Sequence, residues 1–142
     1  MFGPHLTLDL YGCDRKKISD VDFVRDVLDK APALIGMTKI MPPHAFWYDG
    51  KPGSFDKGGV SGFVIIAESH ISIHTFPEQR YVSFDIFSCK DFDVERAAEI
   101  FSRIFEARKV EKNLIMRGRE FPRNVQQVTR IVTRQREAMQ EK

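Results

Sequence analysis

One apolar segment, GGVSGFVIIAESHISIHTFPEQRYVSFDIFSC from Gly58 to Cys89, holds most of the side chains in this chain that could do chemistry. Ser61, Glu68, Ser69, His70, His74, Glu78 and Cys89 stand among Val, Ile and Phe, where a plain strand carries Thr or Val. Three chemistries come to mind for such a set. A zinc site is the first, because His70 and His74 are four residues apart. On a strand, however, residues four apart lie about 13 Å from each other, too far for two ligands of one ion. A metal would need Cys89, His44 or His5 brought in as well, and no metal is expected. A serine hydrolase is the second. Gly59-Val60-Ser61-Gly62 is not the G-x-S-x-G elbow, and Ser61 precedes a strand rather than a helix. The third is the bland reading: Ser72, His74 and Phe76 opposite Ile71, Ile73 and Thr75 is the alternation of any half-buried strand. Periodicity alone favours that last account, in which Cys89 is a small buried hydrophobe.

These residues must be positioned by the elements around them. His5 to Tyr11 alternates with Leu6, Leu8 and Leu10 on one face, which predicts a strand. Gly12 to Lys17 reads as a polar turn. Ser19 with Asp22 resembles a capping box opening a helix to about Lys30, with Val21, Val24, Val27, Leu28 and Ala31 as its apolar stripe. Met37 to Ile40 and Ala45 to Tyr48 read as extended, and Pro42-Pro43 between them suits an edge strand or a bend. DGKPGSFDKGG, with five Gly or Pro, is a surface loop. Three strands follow, Ser61–Ala67, Ile71–Phe76 and Tyr81–Ser88, with PEQR turning between the last two. Asp93 opens a second helix with Val94, Ala97, Ile100, Phe101, Ile104 and Phe105 inward. Val110–Met116 is a last strand, and Arg123–Gln140 a third helix with Val125, Val128, Val132 and Met139 on one side. The expected fold class is α+β, a two-layer sandwich with an antiparallel sheet and helices packed on one face. The other face is left for a site, a partner or both.

Composition narrows the function classes. The 142 residues suit a single domain with a real core, and a net charge of +2 implies no strong field for nucleic acid. No apolar run approaches the ~20 residues of a membrane span, and the amino terminus lacks the pattern of a signal peptide. Cys13 and Cys89 are too few for a disulfide scaffold, so a reduced, cytoplasmic protein is expected.

What lifts the segment above ordinary alternation is a resemblance. GVSGFVIIAESHISIHTFPE and FDIFSC resemble the core of the bacterial and archaeal S-adenosylmethionine decarboxylase family, small pyruvoyl-dependent enzymes, and GPHLTLDLYGCD resembles its first strand and turn. The likeness runs to about Asn113. It implies that the chain cuts itself between Glu68 and Ser69, giving a β chain of residues 1–68 and an α chain of residues 69–142. The Ser69 hydroxyl would attack the Glu68 carbonyl and convert amide to ester. β-Elimination, rearrangement and hydrolysis would then leave an amino-terminal pyruvoyl group and ammonia. By the same resemblance His74 takes the Cα proton, Ser61 assists by hydrogen bonding to the oxyanion intermediate, and Cys89 is the general acid that protonates the product carbon. The pyruvoyl ketone derived from Ser69 is the expected cofactor; it takes the substrate amine as a Schiff base and serves as electron sink.

For the substrate, the resemblance places Phe55 as an adenine-stacking ring, Phe76 where relatives have an aromatic, and Glu78 where a carboxylate holds ribose hydroxyls. A loop anchor for Phe55, core packing for Phe76 and a solvated turn charge for Glu78 are the ordinary alternatives. The same scaffold serves ornithine or arginine decarboxylation in some lineages, for which Asp85, Glu78 or Asp56 could hold the distal cation. The implied partners are a small-molecule substrate and a second copy of the chain, a homodimer of αβ protomers that Phe46 and Trp47 could help to form. Neither nucleic acid nor membrane is expected.

Overall fold

The computed structural model describes residues 1–122 and 125–140; the side chains of residues 125–129 and 131 are not described. The chain runs β1 (Gly3–Tyr11), α1 (Arg15–Ile18), α2 (Val21–Leu34), β2 (His44–Tyr48), β3 (Gly59–Ile66), β4 (Ser69–Phe76), a 3₁₀ turn (Pro77–Gln79), β5 (Tyr81–Ser88), α3 (Val94–Ile104), β6 (Lys109–Arg117) and α4 (Val125–Gln140). Six strands form one sheet in the order β2-β3-β4-β5-β1-β6, all neighbours antiparallel. It is a two-layer α+β fold.

Alternation decides which face is buried. Leu6, Leu8 and Leu10 of β1, Val60, Val64 and Ile66 of β3, Ile71 and Ile73 of β4, and Val82, Phe84 and Ile86 of β5 are all buried on the face covered by helices. From α2, Val24, Leu28 and Ala31 pack onto this face. From the α3 side, Ala97, Phe101 and Phe105 do the same, with Phe101 against Phe84 at 4.4 Å between ring centroids. Excluding this much apolar surface from water is what holds sheet and helices together, at roughly 25 cal/mol per Å².

Several boundaries differ from the sequence expectations. The polar stretch Gly12–Lys17 is not all turn: Asp14 caps α1, its carboxylate accepting from the Lys16 N–H. The cap of α2 is Asp20, whose carboxylate accepts from the N–H groups of Asp22 and Phe23, rather than Ser19. Ser19 closes α1 instead, donating to the Arg15 carbonyl at 2.6 Å. A carboxylate one residue later outcompetes the hydroxyl because it accepts two orphan N–H bonds with a full charge. Helix α2 also continues past Lys30 to Leu34, with Pro32 in its last turn. Met37–Ile40 contributes one antiparallel bridge, Lys39 to Ile66, and no full strand. β2 is an edge strand, as the prolines before it suggest. Strand β4 begins two residues early, at Ser69. On α4, Val132 and Met139 are exposed and not a buried stripe. The start proposed at Arg123, and the side chains of Val125 and Val128, lie outside the described residues.

Candidate active site

The uncovered face of the sheet carries the odd-numbered positions of β3 and β5 and the even-numbered positions of β4. Ser61 on β3 stands in register with His74 on β4, and the Ser61 Oγ and His74 Nδ1 lie 2.8 Å apart. His74 is exposed, and among the described residues its Nε2 has no hydrogen bond. A ring anchored at Nδ1 with Nε2 free is arranged to move a proton at Nε2.

Next along this face is an aromatic slot. Phe55, Phe76, Tyr11, Tyr81 and Gln79 line a cavity of about 310 Å³. Phe55, reaching in from the loop before β3, is 79% exposed, so it is not a core anchor. Its backbone is tied down across the gap, because the Gln79 Nε2 donates to the Phe55 carbonyl at 2.8 Å. Phe76 packs on Tyr81 at 5.6 Å, and Tyr81 on Tyr11 at 5.3 Å. The Tyr81 hydroxyl donates to Asp9. Burial, then that carboxylate, push its pKa up, so it stays a neutral donor. Glu78 sits on the 3₁₀ turn beside the slot, 3.8 Å from Arg15, and does not line it. Tyr11, Tyr81 and Gln79 were missed from the sequence, since their meeting depends on β1 pairing with β5.

A second constellation lies at the other end of β4. Ala67 and Glu68 form the tight turn from β3, and Ser69 begins β4 with φ of +116°. That value is strained for a residue with a side chain, and such strain persists only where surrounding structure imposes it. The Glu68 carbonyl accepts from the backbone N–H of Cys89 at 3.3 Å. A donor aimed at that oxygen polarises the carbonyl that Ser69 follows, the arrangement required to stabilise an oxyanion. Gly3 holds this end together: a Cβ there would fall 2.0 Å from the Ser88 carbonyl and 2.9 Å from the Cys89 Cα. Only glycine allows β1 to start so near the junction.

The two cysteines separate by environment. Burial pushes the Cys13 thiol up to about 11, which leaves it inert. Cys89 is half-buried at the junction, where its N–H reaches the Glu68 carbonyl. His5, packed on Phe87 next to His70, has its pKa lowered mainly by burial. Among the described residues, no group of three His, Cys, Asp or Glu side chains could hold a metal ion. Asp85 lies on the open face of β5 opposite Thr7, and Asp56 is occupied in its loop, accepting from Gly58.

The predicted residues therefore fall into two groups. Ser61 and His74 are together, with Phe76 two residues beyond His74. Glu68, Ser69 and Cys89 are together. His74 is five positions beyond Ser69 on β4, about 16 Å at ~3.3 Å per residue, and Ser69 is about 23 Å from Phe76. One chain does not bring the groups within reach of each other.

Comparison with known proteins agrees on one family. The family model described as S-adenosylmethionine decarboxylase matches residues 4–118, stopping before α4. The S-adenosylmethionine decarboxylase proenzyme of Pyrococcus abyssi is 36% identical over 119 residues, 83% of this chain and 80% of that protein. The proenzyme of Bacillus velezensis is 37% identical over 116 residues, 82% of this chain and 86% of that protein. The crystal structure of the adenosylmethionine decarboxylase from Aquifex aeolicus superposes with a TM-score of 0.69 at 33% identity, covering 82% of this chain and 91% of that one.

Proposed function

Since the chain belongs to the S-adenosylmethionine decarboxylase family, we propose that it decarboxylates S-adenosylmethionine to the aminopropyl donor of spermidine biosynthesis, after cutting itself between Glu68 and Ser69. The relatives described above are named for S-adenosylmethionine, so the ornithine or arginine reading has no support here. The observation that carries the proposal is the junction itself. Ser69 sits in a strained turn behind a carbonyl already held by the Cys89 N–H.

The junction fits the pyruvoyl group that Ser69 would become. Cys89 is adjacent to hold a proton, and its N–H holds the Glu68 carbonyl, which would become the new terminal carboxylate on cleavage. When formed, that group supplies a ketone as electron sink for loss of the substrate carboxylate. The chain's own residues do the rest. His74, anchored by Ser61, moves the Cα proton during processing through its free Nε2. The aromatic slot of Phe55 and Phe76 takes the adenine ring and sulfonium cation, with Glu78 at its rim for the ribose hydroxyls. Cys89 delivers the proton to the product carbon.

The separation along β4 determines the assembly in this reading. A closed two-fold dimer, joined through the open sheet faces, sets the Ser61–His74 pair and slot of one protomer against the Ser69 junction of the other, twice. The exposed Phe46, Tyr48 and Phe63 on that face support the arrangement, because a homodimer interface is where such apolar side chains are covered; Trp47, expected there with Phe46, pairs with Val60 and lies on the other face. Among the described residues no helix is long and apolar enough to cross a membrane. A cytoplasmic location is part of the same proposal.

Intact-mass spectrometry tests the processing step. Purified protein should give fragments 1–68 and 69–142, the latter with a blocked terminus, while Ser69→Ala stays whole. The processed protein should release carbon dioxide from S-adenosylmethionine. An uncut wild-type chain after long incubation would remove the enzyme reading.

A further inference from the structure

The aromatic slot has a neighbour of opposite character. A second cavity, of about 610 Å³, is lined by Arg15, Lys16, Arg80 and Arg108, with Asp14 and Glu106 as its carboxylates. The two cavities have no lining residue in common, but consecutive residues of the chain line them. Tyr11 lines the slot and Gly12 the basic cavity; Tyr81 lines the slot and Arg80 the basic cavity.

The charges of this cavity are unequally satisfied. Asp14 is engaged as the cap of α1, and Glu106 pairs with Lys17 at 3.2 Å. Arg15 is divided between the Pro77 carbonyl and Glu78. The side chains of Lys16, Arg80 and Arg108 have no hydrogen bond or ion pair among the described residues. Gly12 gives Arg108 its place on the rim: a Cβ there, at φ of +68°, would press on Arg108 side-chain carbons at 3.0–3.1 Å.

Cations that outnumber the carboxylates of a concave surface focus a positive potential. The proposed substrate brings a sulfonium cation, which gains nothing from such a wall. A polyphosphate gains a great deal, since two guanidinium forks and an ammonium match its oxygens. We propose that this cavity binds the phosphates of a purine nucleoside triphosphate whose base occupies the adjoining slot, so that the nucleotide competes with substrate. The base half of the proposal rests on the reading of Phe55 and Phe76 as an adenine slot; the phosphate half does not.

Calorimetry on the processed wild-type protein tests it, with adenosine triphosphate, tripolyphosphate and adenosine as probes and a chelator present to keep the phosphates bare. The triphosphate should bind at least tenfold more tightly than adenosine, and more weakly as salt is raised. It should inhibit competitively against S-adenosylmethionine. In Arg80→Gln/Arg108→Gln the advantage over adenosine should vanish and tripolyphosphate binding should be lost, with KM for S-adenosylmethionine within twofold of wild type. Equal affinity for adenosine and its triphosphate, or undiminished tripolyphosphate binding in the double variant, would overturn the phosphate site. Phe55→Ala separates the two readings. If it leaves adenosine binding and KM unchanged, the slot reading fails and nucleotide competition fails with it, while tripolyphosphate bound through Arg80 and Arg108 still establishes the anion site.

Discussion

A serine that attacks the carbonyl just before it needs that carbonyl polarised, and a base to carry the later elimination. The donor on Glu68 is the backbone N–H of Cys89, which Cys89→Ala leaves in place. The proposed base, His74, is a side chain anchored by another, Ser61. These facts separate the two variants. His74→Ala should remain largely uncut, because elimination has lost its base. Cys89→Ala keeps the N–H on the Glu68 carbonyl, so it should still cleave, but turnover should fall by about 10²–10⁴-fold, the usual loss when a general acid is removed. Fragment masses and carbon dioxide release read the two effects apart. Wild-type turnover in Cys89→Ala would end its assignment as the acid.

Elements place these side chains by register. Antiparallel β3 and β4 put Ser61 across from His74, and a slip of one residue would send His74 to the helix-covered face. β5 pairs Ser88 with Ser69, which brings the Cys89 N–H to the turn. The start of β1 is the tightest of these fits, since Gly3 packs on the Ser88 carbonyl. Gly3→Ala should push β1 away from β5 at that end. The expected cost is about 1–3 kcal/mol, the range for inserting a methyl into filled space. Denaturant unfolding measures that loss, and self-cleavage should slow in parallel because the Cys89 N–H shifts off Glu68. Unchanged stability and cleavage would show that Gly3 does not hold the junction.

At the scale of the whole molecule, Ser69 and His74 stand well apart on β4, and the proposed two-fold dimer makes co-expression informative. Ser69→Ala and His74→Ala chains are each expected to stay uncut alone. Mixed in one dimer, the His74→Ala chain offers its intact Ser69 to the His74 of its Ser69→Ala partner, and one complete site results. Fragments 1–68 and 69–142 of the His74→Ala chain alone should then appear in the mass spectrum. Their absence in a demonstrated mixed dimer would mean that each chain assembles its site alone, by a rearrangement of β4.

Local chemistry and alternation were legible in the sequence. The period-two runs of β1, β4 and β5 announced which residues face the core. The Gly- and Pro-rich run marked the loop carrying Phe55, and the motif around Glu68-Ser69 pointed to self-cleavage and to Ser61, His74 and Cys89. These are properties of neighbours along the chain, or of side-chain types that few chemistries need together. Tertiary structure alone decided the rest. Asp20 rather than Ser19 caps α2 because hydrogen-bond geometry, not spacing, chooses between adjacent acceptors. Tyr11, Gln79 and Tyr81 join Phe55 and Phe76 only when β1 lies beside β5 and the loop folds back to the 3₁₀ turn. The distance from Ser69 to His74 also had to be seen in place. Five residues are close in sequence, but an extended strand stretches them about 16 Å, because each residue adds ~3.3 Å.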